Sequence, residues 1–403
     1  GKKLEGRTEI IIENFAEIKE KCNTDTWIIG GAKLLTYCFD NGLISEFLVS
    51  IVEGNYESDI KFMPEIPLYI DNINKDNTTS INNFEWSAIL VKKHEAFSVY
   101  HCSKNKDEMQ IKMLMKKVLE EGKSLNDRTN IGTLSIFGYQ MRFDLSSKFP
   151  LMTMRTSFLL GIFEELMWFV RGKTDSKILE NKKINIWKGN SSAEFIEKSR
   201  LTYDEKTPYS EGDCGPIYGF QWRYWGQQYK NCYTDYVMDT DNDQINNLIK
   251  DIKNITENGD YTNARRLIIN GWNVADLKKM VLPPCHVLYQ FSVIEDQLSC
   301  HFYQRSSDLI LANHWNITSA SLLVYLLAKT CNLTPGELIV SYGDVHIYKN
   351  YISEAKKLLL RNPAKYPKLD ILKKCDKLQD YTYDDIKLSE YYAYKSIKLT
   401  MNV

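Results

Sequence analysis

Leu282-Pro283-Pro284-Cys285-His286 is the stretch of this 403-residue sequence from which the fold of its larger part can be recognised. Its two prolines fix the backbone ahead of Cys285 and hold the sulfur in a defined place. A cysteine becomes a nucleophile where positive charge favours the thiolate, and arginines occur on both sides of this stretch. A core cysteine in a proline-rich turn is the alternative, because free cysteine is among the most buried residue types. The pentapeptide alone does not decide between these interpretations.

Anion-binding and amide-reading side chains flank this stretch. Downstream, the segment Tyr303-Gln304-Arg305-Ser306-Ser307-Asp308 combines a guanidinium with hydroxyl donors, which suits a phosphate. Asn316 has both a donor and an acceptor, as the amide edge of a uracil ring requires. Upstream, Arg128 and the doublet Arg265-Arg266 offer further guanidiniums. A single arginine is most often a solvated surface charge, but the doublet lies in an otherwise apolar predicted strand.

Apolar spacing predicts a small N-terminal unit and a larger one that begins near Glu108. In the larger unit we expect two strands, Thr133 to Phe137 and Met141 to Leu145, around a turn at Gly138. The polar segment Asp241 to Asn263 is predicted to be an exposed helix followed by a loop. Further helices are predicted at Met109 to Glu121, Phe158 to Val170 and Thr318 to Cys331, and strands at Arg266 to Asn270, Val287 to Val293 and Leu298 to Tyr303.

Composition excludes several classes of function. The formal net charge of -1, from 51 basic and 52 acidic residues, argues against a nucleic-acid partner. Nine cysteines, an odd number with no CxxC spacing, favour reduced thiols over a zinc site or a disulfide framework. No apolar run reaches the roughly 18 residues of a membrane span. We therefore expect a soluble, cytoplasmic protein without a metal, although a start at Gly1 is consistent with a removed targeting segment.

A longer set of motifs, spread over nearly 300 residues, resembles the thymidylate synthase family in content and order. The protozoan enzymes fused behind dihydrofolate reductase are the most similar, because Arg265 to Val274 and the closing Met401-Asn402-Val403 fit them. The motifs are Arg128 with Gly132 to Gly138, Phe163 to Phe169, Ile186-Trp187, Gly215 to Arg223, Leu282 to His286, Tyr303 to Ser306 and Gly343 to Tyr348.

The resemblance implies an α+β thymidylate synthase fold over residues 108–403, with mixed sheets, helices and a dimer formed through a sheet face. It also implies reductive methylation of dUMP to dTMP with 5,10-methylenetetrahydrofolate. In that chemistry Cys285 adds to C6 of dUMP, and C5 becomes an enolate carbon that captures the methylene group. Glu165 orders the water and proton network, and Tyr218 helps to remove the C5 proton. His286 and Asn316 complete the implied catalytic set.

The same resemblance implies a nucleotide site shared between two subunits. Arg128, Arg305 and Ser306 hold the phosphate, and Arg265-Arg266 reaches across from the second copy of an obligate homodimer. The positive field of these arginines is expected to lower the Cys285 pKa. The other implied substrate-binding residues are Gln304, Asp308, Asn316 at the uracil edge, and His346 with Tyr348 at the ribose hydroxyl.

Folate binding is the part of the resemblance that the sequence supports least. Trp187 and Asn190 are implied to border the folate, Asp308 to contact the pterin, and Val403 to close over the complex. The family usually has glycines where this chain has Ile310 and Ala312, and Pro-Phe where it has His314-Trp315; Lys188 replaces an acidic residue and Thr156 a basic one. Glycine permits close approach of backbone to a ligand, so these changes bear on folate more than on nucleotide. A catalytically impaired homologue that serves as a structural or assembly subunit is therefore the alternative.

Residues 1–104 resemble the C-terminal half of dihydrofolate reductase, a partial α/β domain. The resemblance rests on Leu4 to Arg7, Thr26 to Ala32 and Asp59 with Phe62 and Pro64. Gly30-Gly31 would approach the pyrophosphate of NADPH at the start of a helix. The half that supplies the folate-binding carboxylate of the reductase is not in the sequence. We expect no reductase activity, and NADPH as a cofactor only if the domain is complete, whether the segment is cut from a bifunctional chain or kept as a packing module.

Overall fold

A computed structural model of the chain describes residues 38, 46–52, 78–80, 86–93, 97–204, 206–237 and 241–399. Gly30 and Gly31, predicted for NADPH, and the predicted lid residue Val403 lie outside the described residues. The chain divides into one unit of residues 1–104 and 362–365 and a second unit of residues 105–361 and 366–403.

The first unit contains an antiparallel sheet of four described strands. They are β1 (Glu46–Val52), β2 (Thr78–Ser80), β3 (Trp86–Lys93) and β4 (Phe97–Lys104), in the order β1-β4-β3-β2. Strand β4 pairs with both β1 and β3, so it occupies an inner position. The Ser103 hydroxyl at the end of β4 accepts a hydrogen bond from the Lys365 amide at 2.8 Å, which joins the 362–365 segment to this unit.

The second unit is built on a mixed sheet of six strands. In chain order these are β5 (Lys123–Leu125), β6 (Thr133–Asp144), β7 (Ile268–Asn270), β8 (His286–Ile294), β9 (Gln297–Asp308) and β10 (Thr334–Tyr348). Their order in the sheet is β5-β6-β10-β9-β8-β7, with β10 parallel to β9 and every other pair antiparallel. A small hairpin of β11 (Lys368–Ile371) and β12 (Ile386–Ser389) stands apart. The predicted α+β class with a mixed sheet is thereby confirmed.

Eight α-helices accompany this sheet in the described part of the second unit. They are α1 (Lys106–Glu121), α2 (Leu159–Val170), α3 (Lys177–Glu180), α4 (Ala193–Ser199), α5 (Tyr218–Arg223), α6 (Gln244–Asn258), α7 (Asn313–Thr330) and α8 (Ile352–Leu359). Short 3₁₀ turns occupy Leu277–Lys279, Lys349–Tyr351, Leu378–Asp380 and Tyr383–Asp385. Helix α7 packs on β9, β10 and α2 and is buried on nearly every side. It is the centre of the core, as the apolar run from Leu322 to Ala328 in its second half requires.

The long strand β6 differs from its prediction. We predicted two strands around a turn at Gly138, but the strand runs unbroken from Thr133 to Asp144. Gly138 has φ +82 within it, a conformation that glycine adopts without a steric penalty. Strand β10 pairs along almost the whole length of β6, and this pairing outweighs the local preference of glycine for a turn.

Helix α6 also corrects a prediction. Its sequence is polar, so we expected an exposed helix, yet Ile245, Leu248 and Ile252 are buried with two further isoleucines. They recur at helical spacing and cover one face, while the polar residues face outward. The Asp243 side chain caps the helix by accepting from the Asn246 amide at 3.1 Å, and Gly259 at φ +63 ends it.

Candidate active site

Cys285 lies immediately before β8, at a place where the sheet is irregular. The pairing of β8 with β9 shifts register between His286 and Leu288, and such bulges re-aim side chains next to functional sites. The Cys285 carbonyl accepts from the Arg305 amide at 2.9 Å, while its own amide donates to Tyr218 Oη at 2.6 Å. The cysteine backbone is therefore held from β9 on one side and from α5 on the other.

Arg305 is the arginine closest to the sulfur. Its Nη2 lies 3.9 Å from Cys285 Sγ and donates to the Pro283 carbonyl at 2.7 Å. Its Nε donates to the Pro284 carbonyl at 2.9 Å, and its Cζ lies 5.6 Å from the centre of the Trp272 ring. The planar guanidinium thus fixes the Pro-Pro stretch and places a positive charge beside the thiol.

The expected direction of the Cys285 pKa was wrong. Burial raises the pKa of Cys285, and this effect outweighs the opposing charge of Arg305, the hydrogen bond with Tyr218 and the charge of Arg128. The sequence showed the arginines but not the apolar surroundings of the sulfur, so it indicated only the smaller effect. In the free protein, Cys285 is a thiol at neutral pH.

The other predicted arginines occupy different positions. Arg128 is exposed in the loop before β6, yet it is close enough for its charge to favour the Cys285 thiolate. Arg265 and Arg266 are both exposed, and they precede β7 rather than lying in it as predicted. Arg266 donates to Asn263 within its own turn, at 3.4 Å. The described part of one chain does not bring this doublet to Cys285.

Tyr218 is carried into the site by a tight turn ahead of α5. Gly215 has φ +73, and a Cβ at this residue would lie 2.1 Å from the Lys279 carbonyl oxygen. Only glycine fits there, which explains the Gly-Pro-Ile-Tyr sequence. Burial raises the pKa of Tyr218 well above its ordinary value, with the charge of Cys285 acting in the same direction. The phenol therefore keeps its proton at neutral pH.

His286 and Asn316 lie behind the cysteine. Burial lowers the pKa of His286 to about 4, against the effect of a hydrogen bond with the Asn316 side chain. Nδ1 of His286 lies 2.9 Å from the hydroxyl of Tyr289, a residue that the sequence did not indicate. The imidazole is thus neutral near pH 7, and its neighbours set its orientation.

Glu165 on α2 is a buried carboxylate held by two tryptophans. Trp187 Nε1 donates to Oε1 at 2.8 Å, and Trp315 Nε1 donates to Oε2 at 2.6 Å. Burial raises the pKa of Glu165 to about 7, while the two indoles oppose that rise. A carboxyl group with this pKa can take up or release a proton near neutral pH.

The end of β9 and the end of β10 bring several predicted nucleotide residues together. The pKa of Tyr348 is raised chiefly by burial, and the charges of Asp308, Arg128 and Cys285 also reach it. The His346 ring lies 5.1 Å from that of Tyr348, and its Nδ1 is 2.6 Å from Asp344 Oδ1. The predicted nucleotide residues Arg128, Asp308, His346 and Tyr348 therefore lie close enough to one another and to Cys285 for their charges to interact.

Polar groups on the inner wall of the site lack protein partners. Gln304 donates to the Ser306 carbonyl at 3.2 Å, but its buried Oε1 has no hydrogen-bond partner among the described residues. The same holds for Nδ2 of Asn190, a side chain that is 6% exposed. Buried polar atoms are seldom left unpaired, so these two are available to a ligand.

The segment with the substituted glycines folds around Arg155. This arginine donates to the Ile310 and Leu311 carbonyls at 2.7 and 3.2 Å and lies 3.0 Å from His314 Nδ1. The Asp308 carboxylate, predicted for the pterin, accepts from the Ile310 and Leu311 amides at 2.9 and 3.1 Å. Ile310 is buried in the core and therefore does not face a ligand.

No three His, Cys, Asp or Glu side chains of the described ranges come together as a metal site. In the same ranges no helix is long and apolar enough to cross a membrane. The seven described cysteines are all free.

The second unit is thus an α+β domain with a cysteine, an arginine and a buried acid grouped at one end of its central sheet, as in an enzyme that uses a cysteine nucleophile. The family described as "Thymidylate synthase" matches residues 109–403. The chain belongs to the thymidylate synthase family, whose members are methyltransferases that use 5,10-methylenetetrahydrofolate as co-substrate.

Individual relatives agree with this assignment. The chain is 37% identical to a bifunctional dihydrofolate reductase-thymidylate synthase of Paramecium tetraurelia over 395 residues, 97% of this chain and 82% of the relative. It is 41% identical to a thymidylate synthase of Human herpesvirus 8 over 297 residues, 74% of this chain and 85% of the relative. A bifunctional protein of Zea mays is 41% identical over 297 residues, but the chain spans only 55% of its length.

Proposed function

We propose that this chain converts dUMP to dTMP by reductive methylation, with 5,10-methylenetetrahydrofolate as co-substrate and Cys285 as the nucleophile. The observation that carries the proposal is the position of the Cys285 sulfur, 3.9 Å from Arg305 Nη2, with its backbone fixed by Tyr218. A thiol held beside a guanidinium is suited to attack a substrate that brings a phosphate to the same guanidinium.

Substrate binding in this proposal involves both ends of the nucleotide. Arg305, Ser306 and Arg128 hold the phosphate, and Asn316 with Gln304 meets the uracil edge, where the unpaired Oε1 of Gln304 can accept from a ring N–H. His346 and Tyr348 hold the ribose hydroxyl. Binding fixes C6 over the sulfur, so the attack becomes effectively unimolecular.

Proton transfer falls to groups on the two sides of the ring. Burial leaves Cys285 protonated in the free protein, so the thiol adds to C6 while the C5–C6 π electrons form the enolate, and the thiol proton passes through water to the enolate oxygen. Glu165, with a pKa of about 7, exchanges a proton with the far side of the ring through water. Tyr218 remains a phenol and assists removal of the C5 proton, while neutral His286 orients Asn316.

The folate co-substrate supplies a one-carbon unit and a hydride when it is bound. The residues present fit it, since Asn190 offers a buried Nδ2 without a hydrogen-bond partner among the described residues, and Asp308 offers a buried carboxyl group whose pKa burial raises. We infer that Trp187 and Asn190 border the folate and that Asp308 meets the pterin. Val403 closes over the complex in this proposal.

A homodimer is part of the same proposal. The open face of the sheet carries Gln140, Ser341, Tyr303 and Leu288 side by side on β6, β10, β9 and β8, and Tyr303 is 40% exposed. We infer that a second copy covers this face and supplies Arg265 and Arg266, which are exposed and away from their own Cys285.

Residues 1–104 are proposed to derive from the reductase half of a bifunctional protein. The Paramecium relative, which carries both names, supports this because the match covers 97% of the chain. NADPH binding through Gly30 and Gly31 would require the complete reductase domain. The seven free thiols support a reducing, cytoplasmic location for the chain.

The test combines turnover with trapping. Wild-type protein is expected to release tritium from dUMP labelled at C5 when methylenetetrahydrofolate is present, and to form a covalent adduct with 5-fluoro-dUMP. Cys285→Ser should do neither, whereas Cys300→Ser, a buried cysteine on β9, should do both. Nucleotide binding without tritium release from wild-type protein would favour the impaired structural homologue, which the substituted 310–314 segment makes the alternative.

A further inference from the structure

Trp315 has no role in the chemistry described so far, and the sequence showed it only as a departure from the family. It lies in the first turn of α7, one residue before Asn316. Its indole N–H donates to Glu165 Oε2 at 2.6 Å, the shorter of the two hydrogen bonds that this carboxylate accepts from indoles.

The wall of the site leaves space for this indole. A Cβ on Gly161, in the first turn of α2, would lie 2.6 Å from Cδ1 of Phe158 and 2.8 Å from Cη2 of Trp315. Any larger residue at Gly161 would push against the ring edge, so α2 and α7 fit each other here through a glycine and a tryptophan. The indole cannot shift far without losing either this packing or its hydrogen bond.

We propose that Trp315 is a positioning residue which, together with Trp187, clamps both oxygens of Glu165 and thereby sets the orientation and the working pH range of this carboxyl group. The proposal rests on the thymidylate synthase function proposed above. It adds to that function a residue that sequence similarity does not supply, because the family usually has phenylalanine in the place of Trp315.

The surroundings of Glu165 make the second indole important. Glu164, the preceding residue, turns away and pairs with Lys182 at 2.6 Å. The pKa of Tyr289 on β8 is raised by burial first, and then by the charges of Cys300 and Glu165. No lysine or arginine within the described ranges donates to the Glu165 carboxylate, so the two indole N–H groups are what stabilise its ionised form against burial.

The first test is the pH dependence of kcat in Trp315→Phe. Phenylalanine retains the ring and loses the N–H, so the apparent pKa of Glu165 should rise by about one unit, as expected for one hydrogen bond to a charged group. Glu165→Gln identifies the limb of the profile that belongs to this group. Trp168→Phe is the matched control, since Trp168 donates to the Asp175 carbonyl at 3.0 Å and should keep the wild-type profile.

A second measurement does not depend on turnover. In ¹⁵N-indole NMR spectra of the wild-type chain, the signals of Trp187 and Trp315 should move with pH at one shared midpoint, and Glu165→Gln should abolish both shifts. An unchanged kcat profile in Trp315→Phe, or a Trp315 signal that does not respond to Glu165, overturns the proposal. If the wild-type chain shows no turnover but its two indole signals respond to Glu165, the proposed function is wrong. The proposed role of Trp315 in positioning Glu165 is then still supported.

Discussion

Arg305 and Cys285 are joined both through the backbone and through space. The Arg305 amide donates to the Cys285 carbonyl at 2.9 Å, and its guanidinium lies 3.9 Å from the sulfur. The same side chain bonds the carbonyls of Pro283 and Pro284. Arg305 therefore acts on the nucleophile by position as well as by charge, and it does so before any substrate binds.

Arg305→Lys should lower kcat/KM for dUMP by about 100-fold, because an ammonium group cannot span both proline carbonyls and bind phosphate in a bidentate manner. Steady-state kinetics measure this effect. Arg200→Lys is the matched control, since Arg200 is exposed at the end of α4 and should leave the kinetics unchanged. If the two variants had equal kinetic constants, the proposed role of Arg305 in substrate binding would be contradicted.

The arrangement of Arg305 and Cys285 was predictable, because Arg305 lies on β9 and Cys285 directly precedes β8, the strand before it in sequence. The order of the motifs also gave the family and the mixed α+β fold. The direction of the Cys285 pKa shift was not predictable, because it depends on how deeply distant segments of the chain bury the sulfur. The turn expected at Gly138 was wrong for a similar reason, since pairing with β10 overrides the local preference.

Two parts of the candidate site could not be predicted from the sequence, and the reasons differ. The Arg265-Arg266 doublet makes no contact with its own Cys285, so its proposed role requires a surface that one chain does not contain. Trp315 was visible only as a substitution, and its hydrogen bond to Glu165 appears only when α7 packs beside α2. Sequence spacing does not report which indole nitrogen meets which oxygen.

Asp243→Asn should destabilise the fold by about 3–5 kcal/mol, because it removes the negative charge that faces the buried, charged Arg223 guanidinium. The two side chains are both 0% exposed and lie 2.9 Å apart. Asparagine also caps helices, so the cap of α6 is retained and the ion pair alone is tested. The measurement is urea unfolding. Glu121→Gln, which removes the exposed ion pair with Lys117, should cost no more than about 1 kcal/mol, and equal losses would contradict the prediction.

The titration of Glu108 should lower the free energy of unfolding as the pH rises from about 4.5 to about 7. Burial raises the pKa of this carboxyl group from 4.5 to about 7, against hydrogen bonds from Thr153 and Met154. Below pH 4.5 both the folded and unfolded states hold the proton. Above that value only the folded state keeps it, so the free energy of unfolding falls until the pH reaches about 7, by about 1.4 kcal/mol per unit at most.

Urea unfolding from pH 5 to 8 checks this dependence. Glu108→Gln should flatten the fall, leaving the contribution of Glu165, whose pKa is raised in the same direction to about 7. The control is Glu120→Gln on the same helix, where the side chain is 60% exposed. A Glu108→Gln profile that follows that of the control would show that the buried carboxyl group does not titrate in this range.

Two inactive variants should restore activity to each other if the site is shared between subunits. Cys285→Ser lacks the nucleophile, and the double change Arg265→Ala, Arg266→Ala lacks the phosphate contacts given to the partner. Equal amounts, mixed and refolded together, form half heterodimers, each with one intact site, so about a quarter of the wild-type activity should return. Cys285→Ser mixed with Cys285→Ala should stay inactive. If heterodimers form, as seen by native mass spectrometry, and no activity returns, the arginine doublet does not serve the neighbouring site.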